Sequence, residues 1–372
     1  MIEPASAALV AACFKPTYAS ARAAFLEAAD RAQARTDLLI NDRAKGPDGS
    51  TLTTDVAVLG PADADEALVI VSGTHGPEGF VGSAAQIALL DAIARQPQRL
   101  STRIVLIHAI NPWGFAHISR TTENNVDLNR NFIDWTAPAP ENALYNELHS
   151  MLSPQQWTDE ALAQADAQRQ AWIATHGQDK FVDGTARGQY THAQGLHYGG
   201  SEREWSNLAL EEIIARHLQD VKRIAFIDWH TGLGERGQPF FLCFNQPGDA
   251  GWQRACDWGG TDNIETKGGF EGAARPNYSG LVFHGVQKFA AQADVTGAVI
   301  EFGTKTRYEM RRALQIDQYL KFGSPVSDAQ RAKMREELLD AFAPLSLDWK
   351  RSVLAYAIQI QNQALQGLLA WG

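Results

Sequence analysis

The stretch that decides the fold runs from residue 67 to residue 82 and reads Ala-Leu-Val-Ile-Val-Ser-Gly-Thr-His-Gly-Pro-Glu-Gly-Phe-Val-Gly. Its first five residues form an apolar run rich in Val and Ile, which is typical of a buried strand. A Ser-Gly pair ends this run, and an Ala- and Leu-rich segment then continues to about Ala94. The stretch therefore predicts a strand, a tight turn and a long helix, with His75 and Glu78 on the turn. Such turns lie at the carboxyl ends of strands in open α/β sheets, where ligand sites form.

Further strand signals alternate with helical segments along the chain. A helix is predicted over residues 17–34, and Leu52 to Leu59 alternates like an edge strand. The other strand signals cover residues 103–110, 222–229, 239–244 and 296–302. Strands that alternate with helices indicate a largely parallel sheet covered on both faces. The sequence therefore predicts the α/β class.

Two segments depart from this alternation. Residues 140–220 are mostly helical and rich in Gln and Ala, with a Gly- and Tyr-rich interruption at Gly184 to Gly200, and we expect a helical insertion on the rim of the domain. Residues 326–371 end the chain with about two helices rich in Ala and Leu. Because no repeat or low-complexity linker separates these parts, residues 1–372 are predicted to form a single catalytic domain.

The composition limits the classes of function. The chain has 372 residues, of which 45% are hydrophobic, and this suffices to bury a large core. A net charge of -10 without a basic stripe argues against a nucleic-acid partner. The three cysteines lack CxxC spacing, so neither a disulfide framework nor a cysteine zinc site is expected. Without a signal-like N-terminus or a run of about 18 apolar residues, we expect a cytoplasmic protein with no membrane partner.

His75, Glu78 and His230 form a candidate metal site. His230 ends the strand signal in Ile224-Ala-Phe-Ile-Asp-Trp-His, so all three residues should meet at one edge of the sheet. Two imidazoles and a carboxylate leave one open position on a tetrahedral Zn²⁺, where water becomes a nucleophile because its pKa falls to about 7. The alternative for His230 is a hydrogen-bonded histidine of the core. Asp228 either orients a metal ligand or caps the strand.

Glu301, near the end of the strand signal at Ala298-Val-Ile-Glu, is the candidate general base. A carboxylate on a buried strand is costly unless it is paired or functional. It therefore either takes a proton from the metal-bound water or pairs with a cation such as Lys305. Burial raises the pKa of a glutamate toward neutrality, which is how such bases are tuned.

A polar loop between the first two metal-ligand candidates and the third carries Arg120, Asn129 and Arg130. Two guanidinium groups and an amide are suited to holding a carboxylate through forked hydrogen bonds. The alternative is that the arginines are solvated or paired with Asp127 or Glu123.

In this order, the motifs resemble those of the zinc carboxypeptidase superfamily, which includes the aspartoacylase and succinylglutamate desuccinylase branch. The resemblance covers roughly residues 50–320 and rests on His75-x-x-Glu78, Asn111-Pro112, Asp127-Leu-Asn129-Arg130, His230 and Glu301. Its His-Gly-Pro-Glu-Gly, Asp-Leu-Asn-Arg-Asn-Phe and Glu-Phe-Gly-Thr signatures look most like a bacterial branch of metallocarboxypeptidases.

The resemblance implies a three-layer α/β/α sandwich around a mixed, mostly parallel sheet of about eight strands. It also implies one Zn²⁺ ion and cleavage of an amide bond next to a terminal carboxylate. By position, Asn129 and Arg130 match the clamp for that carboxylate, and Arg120 matches the arginine that polarises the scissile carbonyl. Carboxypeptidases carry a mobile tyrosine before the catalytic glutamate; Tyr278, which lies 23 residues before Glu301, is the candidate, with a structural tyrosine as the alternative.

Three functions remain open from the sequence. The first is a carboxypeptidase that acts on small peptides, and the second is an amidohydrolase that acts on N-acyl amino acids. The third is a non-catalytic protein that binds zinc or a ligand on the same fold, which the presence of Glu301 disfavours. A cleft open to peptides would favour the first function, and an insertion that closes the pocket would favour the second.

Overall fold

The computed structural model describes residues 3–96, 100–259 and 274–371. Within these ranges the chain forms one seven-stranded sheet. The strands are β1 (Arg35–Lys45), β2 (Thr51–Leu59), β3 (Glu66–Val71), β4 (Arg103–His108), β5 (Arg223–Arg236), β6 (Pro239–Cys243) and β7 (Asp294–Gly303). Their spatial order is β1-β2-β4-β3-β5-β7-β6.

Helices precede, connect and follow these strands. In the described ranges they are α1 (Ala7–Cys13), α2 (Tyr18–Arg31), α3 (Gly79–Arg95), α4 (Pro112–His117), α5 (Ala143–Leu152), α6 (Asp159–His176), α7 (Gln178–Ala186), α8 (Trp205–His217), α9 (Ala250–Gly259), α10 (Val282–Phe289), α11 (Arg307–Phe322), α12 (Asp328–Phe342) and α13 (Leu347–Leu369). Short 3₁₀ helices occur at Gly76–Glu78 and Leu128–Arg130. None of the helices in these ranges combines the length and the hydropathy needed to cross a bilayer.

The sheet is parallel in its centre and antiparallel toward both edges. Strand β3 pairs in parallel with β4 and β5, and β5 pairs in parallel with β7. Antiparallel pairs join β1 to β2, β2 to β4 and β6 to β7. This arrangement confirms the predicted mixed α/β sheet, with seven strands in the described ranges where about eight were expected.

Both faces of the central strands are covered by helices. On β3, Leu68 and Ile70 belong to one hydrophobic cluster with residues of α3 and α13. The intervening Val69 and Val71 belong to a second cluster with residues of α8 and α10. Because successive side chains of a strand point to opposite faces, the uninterrupted apolar run of β3 fits a strand buried between two helical layers.

Two strand predictions were wrong in detail. Strand β2 is not an edge strand, since β1 covers its outer side. The sequence signal of β1 is weak because this outer strand mixes charged residues with exposed apolar ones; Leu38 is 46% exposed and Ile40 is 53% exposed. Strand β5 does not end at His230 but continues to Arg236, because it keeps pairing with β7 as far as Gly303.

The segment between β4 and β5 contains two kinds of helix. Helices α5, α6 and α7 pack on one another around a hydrophobic cluster of their own. Helix α8 instead contributes Ala209, Leu210 and Ile213 to a cluster on one face of the sheet. At the end of the chain, α12 and α13 match the two expected helices. That residues 1–372 form a single catalytic domain stays a prediction.

Candidate metal centre and its cavity

The parallel strand order brings the predicted metal ligands to one edge of the sheet. In the pairing of β3 with β5, Val71 lies opposite Asp228, so the turn after β3 lies beside the residues that follow Asp228. In the pairing of β5 with β7, His230 lies opposite Glu301. Paired residues of neighbouring strands face the same side of a sheet. The topology alone therefore makes neighbours of side chains that are far apart in sequence.

Two glycines let the turn after β3 adopt its path. Gly73 has a φ of 70°, a left-handed conformation that glycine adopts without strain. At Gly76, an added Cβ would lie 2.0 Å from the carbonyl carbon of Gly114, so a side chain does not fit there. The backbone N–H of Gly76 donates to the carbonyl of Ser119 at 3.1 Å. The turn is thereby fixed against the loop after β4, with His75 before the 3₁₀ turn and Glu78 at its end.

His75, Glu78 and His230 come together as predicted. One ligand atom of each lies within 4.8 Å of the others, and all three side chains are buried. The Nδ1 atom of His75 lies 2.9 Å from Oε1 of Glu78, and the Nδ1 atom of His230 lies 2.9 Å from Oε2. Both imidazoles therefore turn the same ring nitrogen toward a single carboxylate.

The other ring nitrogen of each histidine faces a second carboxylate. The Nε2 atom of His75 lies 3.0 Å from Oδ1 of Asp127, and that of His230 lies 2.9 Å from Oδ2 of Asp228. Asp228 also accepts a hydrogen bond from Thr74 Oγ1 at 2.9 Å. A carboxylate behind a histidine fixes the orientation and tautomer of a metal ligand. Two oriented imidazoles and one carboxylate fit a divalent cation such as Zn²⁺.

Buried charge at this point also fits a cation. Burial opposes the ionisation of Glu78, but the charges of His75 and His230 outweigh it and keep the pKa of Glu78 below its ordinary value. Burial likewise disfavours a charged His230, yet the negative charges of Asp228 and Glu78 raise the pKa of this histidine well above its usual range. The carboxylates thus stabilise positive charge between them, whether it is carried by an imidazolium or by a bound ion.

Glu301 lies beside this cluster, and its Oε2 accepts a hydrogen bond from the backbone N–H of Leu233 at 3.3 Å. Burial raises the pKa of Glu301 to about 7, and the nearby charge of Glu78 adds to the effect. Lys305, the alternative partner considered from the sequence, pairs with Asp340 at 2.6 Å instead. Glu301 is therefore a carboxyl group that exchanges its proton near neutral pH.

A cavity of about 510 Å³ opens over the cluster. The predicted site residues that line it are His75, Arg120, Asn129, Arg130, His230, Tyr278 and Glu301. Glu78 lies behind them, where it bonds both His75 and His230, the two candidate metal-ligand histidines. The structure thus brings every site residue predicted from the sequence to one place, although their roles stay predictions.

The polar side chains of the loop after β4 are already engaged with the protein. Arg120 pairs with Glu78 at 3.1 Å and with Asp127 at 3.3 Å, so one of the ion pairs considered for it is present. Asn129 accepts at Oδ1 from the backbone N–H of Val282 at 2.9 Å. The groups suggested by the sequence as a forked clamp, Arg120, Asn129 and Arg130, therefore line one cavity, and their role as a clamp stays a prediction.

The guanidinium of Arg130 is held at the cavity wall. It donates to the carbonyl of Asn129 at 2.7 Å through Nη1 and to that of Ala186 at 3.2 Å through Nε. It also lies over the ring of Tyr278, 5.0 Å from the ring centroid. Arg130 and Tyr278 therefore form a stacked pair that faces the cavity.

Two contributions were missed by the sequence analysis. Asp127 was weighed only as a partner of the arginines, whereas it also holds His75. His197, in the Gly- and Tyr-rich interruption, lines the cavity and places Nδ1 3.1 Å from Oδ2 of Asp127. This interruption holds two histidines, His192 and His197, and nothing in their spacing would have singled out His197.

Two helices form the walls opposite the sheet edge. The cavity-lining residues of α7 are Gln178, Phe181, Val182, Thr185 and Ala186, and those of α11 are Arg307, Met310, Arg311 and Leu314. Both sets contain the spacing i, i+3, i+4, i+7, and Ala186 adds the position i+8, so each set lies on one helical face. Helix α7 lies in the segment for which we predicted an insertion, and that segment shapes the cavity.

Comparison with known proteins gives a family and a fold. The family described as "Protein of unknown function (DUF2817)" matches residues 14–356. No curated protein matches the chain. Bovine thrombin-activatable fibrinolysis inhibitor, solved in complex with tick carboxypeptidase inhibitor, superposes with a TM-score of 0.52 and 10% identity over 95% of this chain and 97% of that chain. At 10% identity this likeness concerns the fold alone, and it agrees with the α/β fold predicted from the sequence.

Two further structures are more distant. The carboxypeptidase A from Helicoverpa armigera has a TM-score of 0.47 at 11% identity and covers 96% of this chain and 74% of that chain. The succinylglutamate desuccinylase from Chromobacterium violaceum has a TM-score of 0.34 at 14% identity and covers 87% of this chain and 74% of that chain.

Proposed function

We propose that this chain, which belongs to the DUF2817 family, is a metal-dependent hydrolase of the metallocarboxypeptidase type that cleaves an amide bond next to a terminal carboxylate. One observation carries the proposal. A candidate ligand set of His75, Glu78 and His230 adjoins, in one cavity, a glutamate whose pKa is raised to about 7. A metal site and a proton carrier side by side are the two parts that metal-dependent hydrolysis of an amide requires.

The three ligand candidates would hold one Zn²⁺ ion. Such an ion supplies a Lewis acid for the carbonyl oxygen and lowers the pKa of a water molecule to about 7. Asp127 would accept the Nε2–H of His75, so that the Nδ1 lone pair of His75 points toward Glu78, and Asp228 lies 2.9 Å from Nε2 of His230. The protein's own part is to orient these donors and to keep them buried.

Glu301 would act as the general base and then as the general acid. Its carboxylate takes a proton from the attacking water and delivers it to the nitrogen of the leaving amine. Because burial raises the pKa of Glu301 to about 7, the group can carry out both transfers near neutral pH. The hydrogen bond from the N–H of Leu233 holds one carboxylate oxygen and leaves the other for the water.

Substrate binding falls to the polar wall of the cavity. Arg120, beside Glu78, would stabilise the negative charge that develops on the carbonyl oxygen. Asn129 and Arg130, which both line the cavity, would bind the terminal carboxylate. Tyr278 stacks on Arg130 and would close over the bound carboxylate.

A second candidate is an amidohydrolase that acts on N-acyl amino acids, with the same chemistry on a smaller substrate. The observation in its favour is the helical enclosure of the cavity by α7 and α11 and its volume of about 510 Å³. A volume of this size is in the range of small-molecule sites.

The test is hydrolysis by the zinc-loaded protein of a panel that contains C-terminal dipeptides and N-acyl amino acids. Release of the C-terminal residue from dipeptides supports the carboxypeptidase, and hydrolysis of only the acyl amino acids supports the second candidate. A protein that binds one equivalent of zinc but cleaves neither class at any pH from 6 to 9 would refute both.

A further inference from the structure

His197 is a third histidine in the cavity, in addition to the two candidate metal ligands. It lies between α7 and α8, is 8% exposed, and reaches Asp127 rather than Glu78. Asp127 in turn lies 3.0 Å from His75 through its other oxygen. His197 is therefore linked to the candidate metal ligand His75 through one shared carboxylate.

The loop around His197 is closely held by its own side chains. The buried amide of Gln189 donates to the carbonyls of His192 at 2.8 Å and Leu196 at 3.2 Å and accepts from the backbone N–H of His192 at 2.7 Å. The amide of Asn125 donates to the carbonyl of Gly195 at 3.1 Å. These bonds make the loop a rigid support rather than a solvated connection.

The backbone at His197 adopts a left-handed conformation. Its φ is 52°, in the left-handed region, which is uncommon for residues other than glycine. The next residue anchors it, because the N–H of Asp127 donates to the carbonyl of Tyr198 at 2.7 Å. Left-handed residues of this kind cluster at functional sites, where the surrounding structure maintains the strain.

The hydrogen-bond partner sets the tautomer of His197. Oδ2 of Asp127 pairs with the guanidinium of Arg120 at 3.3 Å, and its Oδ1 accepts the backbone N–H of Asn129 at 3.1 Å, so Asp127 is held as a carboxylate that can only accept. The Nδ1 atom of His197 must therefore carry the proton. Burial lowers the pKa of His197 to about 4, so the ring is neutral near pH 7 and Nε2 carries a lone pair.

That lone pair is available to a substrate. None of the described residues bonds to Nε2 of His197, and this atom is not sealed inside the protein. The arginines that line the cavity are donors only, so they cannot satisfy a donor of the substrate. Glu301 is the proton carrier of the proposed reaction. Besides the amide of Gln178 and the hydroxyls of Thr185 and Thr231, the imidazole of His197 is therefore a neutral acceptor in this cavity, and it is the one bonded to Asp127.

We propose that His197 has two roles: its Nδ1–H positions Asp127, and through it His75, while its Nε2 accepts a hydrogen bond from an N–H or O–H donor of the substrate. The second role rests on the proposed function; the first does not. The substrate class that follows carries, besides its terminal carboxylate, an amide, ammonium or hydroxyl donor that reaches the histidine.

Two substitutions separate the roles. In His197→Asn, the side-chain amide can donate to Asp127 in place of Nδ1, asparagine tolerates the left-handed backbone, and no atom replaces Nε2. His197→Ala removes both contacts. The matched control is His192→Asn in the same loop, since His192 bonds Asn146 at 2.8 Å and does not line the cavity.

The readouts are zinc affinity, by competition with a chelator, and kcat/KM on the best substrate of the panel. We expect His197→Ala to weaken zinc binding about tenfold or more, the range seen for groups that orient metal ligands. His197→Asn should keep zinc affinity within about twofold of the wild type while kcat/KM falls about tenfold or more, chiefly through KM. His192→Asn should change neither value. Thermal melts verify that each variant is folded.

Two results would overturn the proposal. Zinc affinity of folded His197→Ala equal to that of His192→Asn refutes the positioning role, even if the protein hydrolyses nothing. An unchanged kcat/KM in His197→Asn refutes the substrate contact. Failure of the proposed function alone gives a different result. The wild type then cleaves no member of the panel, but His197→Ala still binds zinc more weakly than the wild type and the other variants.

Discussion

The sheet side and the helical side of the cavity are built in different ways. On the sheet side, the side chains of His75, Glu78 and His230 are buried. The Nδ1 atom of each histidine lies at hydrogen-bond distance from one carboxylate oxygen of Glu78. On the helical side, one face each of α7 and α11 lines the space with apolar groups and arginines that are mostly only partly buried.

This difference separates chemistry from selectivity. A buried, mutually bonded cluster tolerates little movement, because any shift leaves a charge without its partner. A wall of side chains that are partly exposed can be altered without such a penalty. We therefore expect substitutions on the sheet side to abolish function and those on the helical side to change which substrate is preferred.

The largest effect is expected for His230→Ala. Loss of one of the candidate ligands should remove stoichiometric zinc binding and, with it, all turnover. The measurement is zinc content after dialysis, with His176→Ala on α6, outside the cavity, as control. Full zinc occupancy in His230→Ala would show that the ligand set is wrong.

The next largest effect is expected for Glu301→Gln. The amide keeps the shape of the side chain but cannot take a proton, so kcat should fall by about 10²–10⁴-fold. Zinc content and the melting temperature of the zinc-loaded protein should stay at the wild-type values, which separates this change from loss of a ligand. The exposed Glu202→Gln serves as control. Wild-type turnover in Glu301→Gln would remove Glu301 from the mechanism.

A smaller effect concerns the stability of the zinc-free protein. The folded-state pKa of Glu301 is raised to about 7, above its unfolded value of 4.5, so between these pH values the folded state binds more protons than the unfolded state. The free energy of unfolding should therefore fall as the pH rises through this window.

Glu301→Gln should remove this dependence. As the pH rises from 5 to 8, the free energy of unfolding of the variant should increase relative to that of the wild type by on the order of 2 kcal/mol. Urea denaturation in the presence of a chelator measures it. A constant difference between the two proteins across this range would contradict the shifted pKa.

The smallest effect is expected on the helical side. Val182→Ala on α7 removes part of the apolar wall and should raise KM by no more than about tenfold, with kcat and zinc content unchanged. Comparison of KM across the substrate panel would show the changed preference. If Val182→Ala instead lowers kcat as far as Glu301→Gln does, the division between the two sides of the cavity does not hold.

The fold and much of the site were accessible from the sequence because they depend on local patterns. Apolar runs that end in His75, His230 or Glu301 predict strands whose carboxyl ends bear polar groups, and parallel order then requires these groups to meet. The outer strand β1 escaped prediction because its pattern of exposed apolar and charged residues resembles a loop.

What the sequence by itself determined is the set of strands, their carboxyl ends and the ligand types placed there, since these follow from hydrophobic periodicity along short segments. Only the tertiary structure decided which carboxylate stands behind each histidine and how His197 and helices α7 and α11 close the cavity. The physical reason is that a hydrogen bond between distant segments forms only when the distance between donor and acceptor is correct to within about a few tenths of an ångström. Those distances are set by the packing of the whole chain and cannot be inferred from the spacing of residues in the sequence.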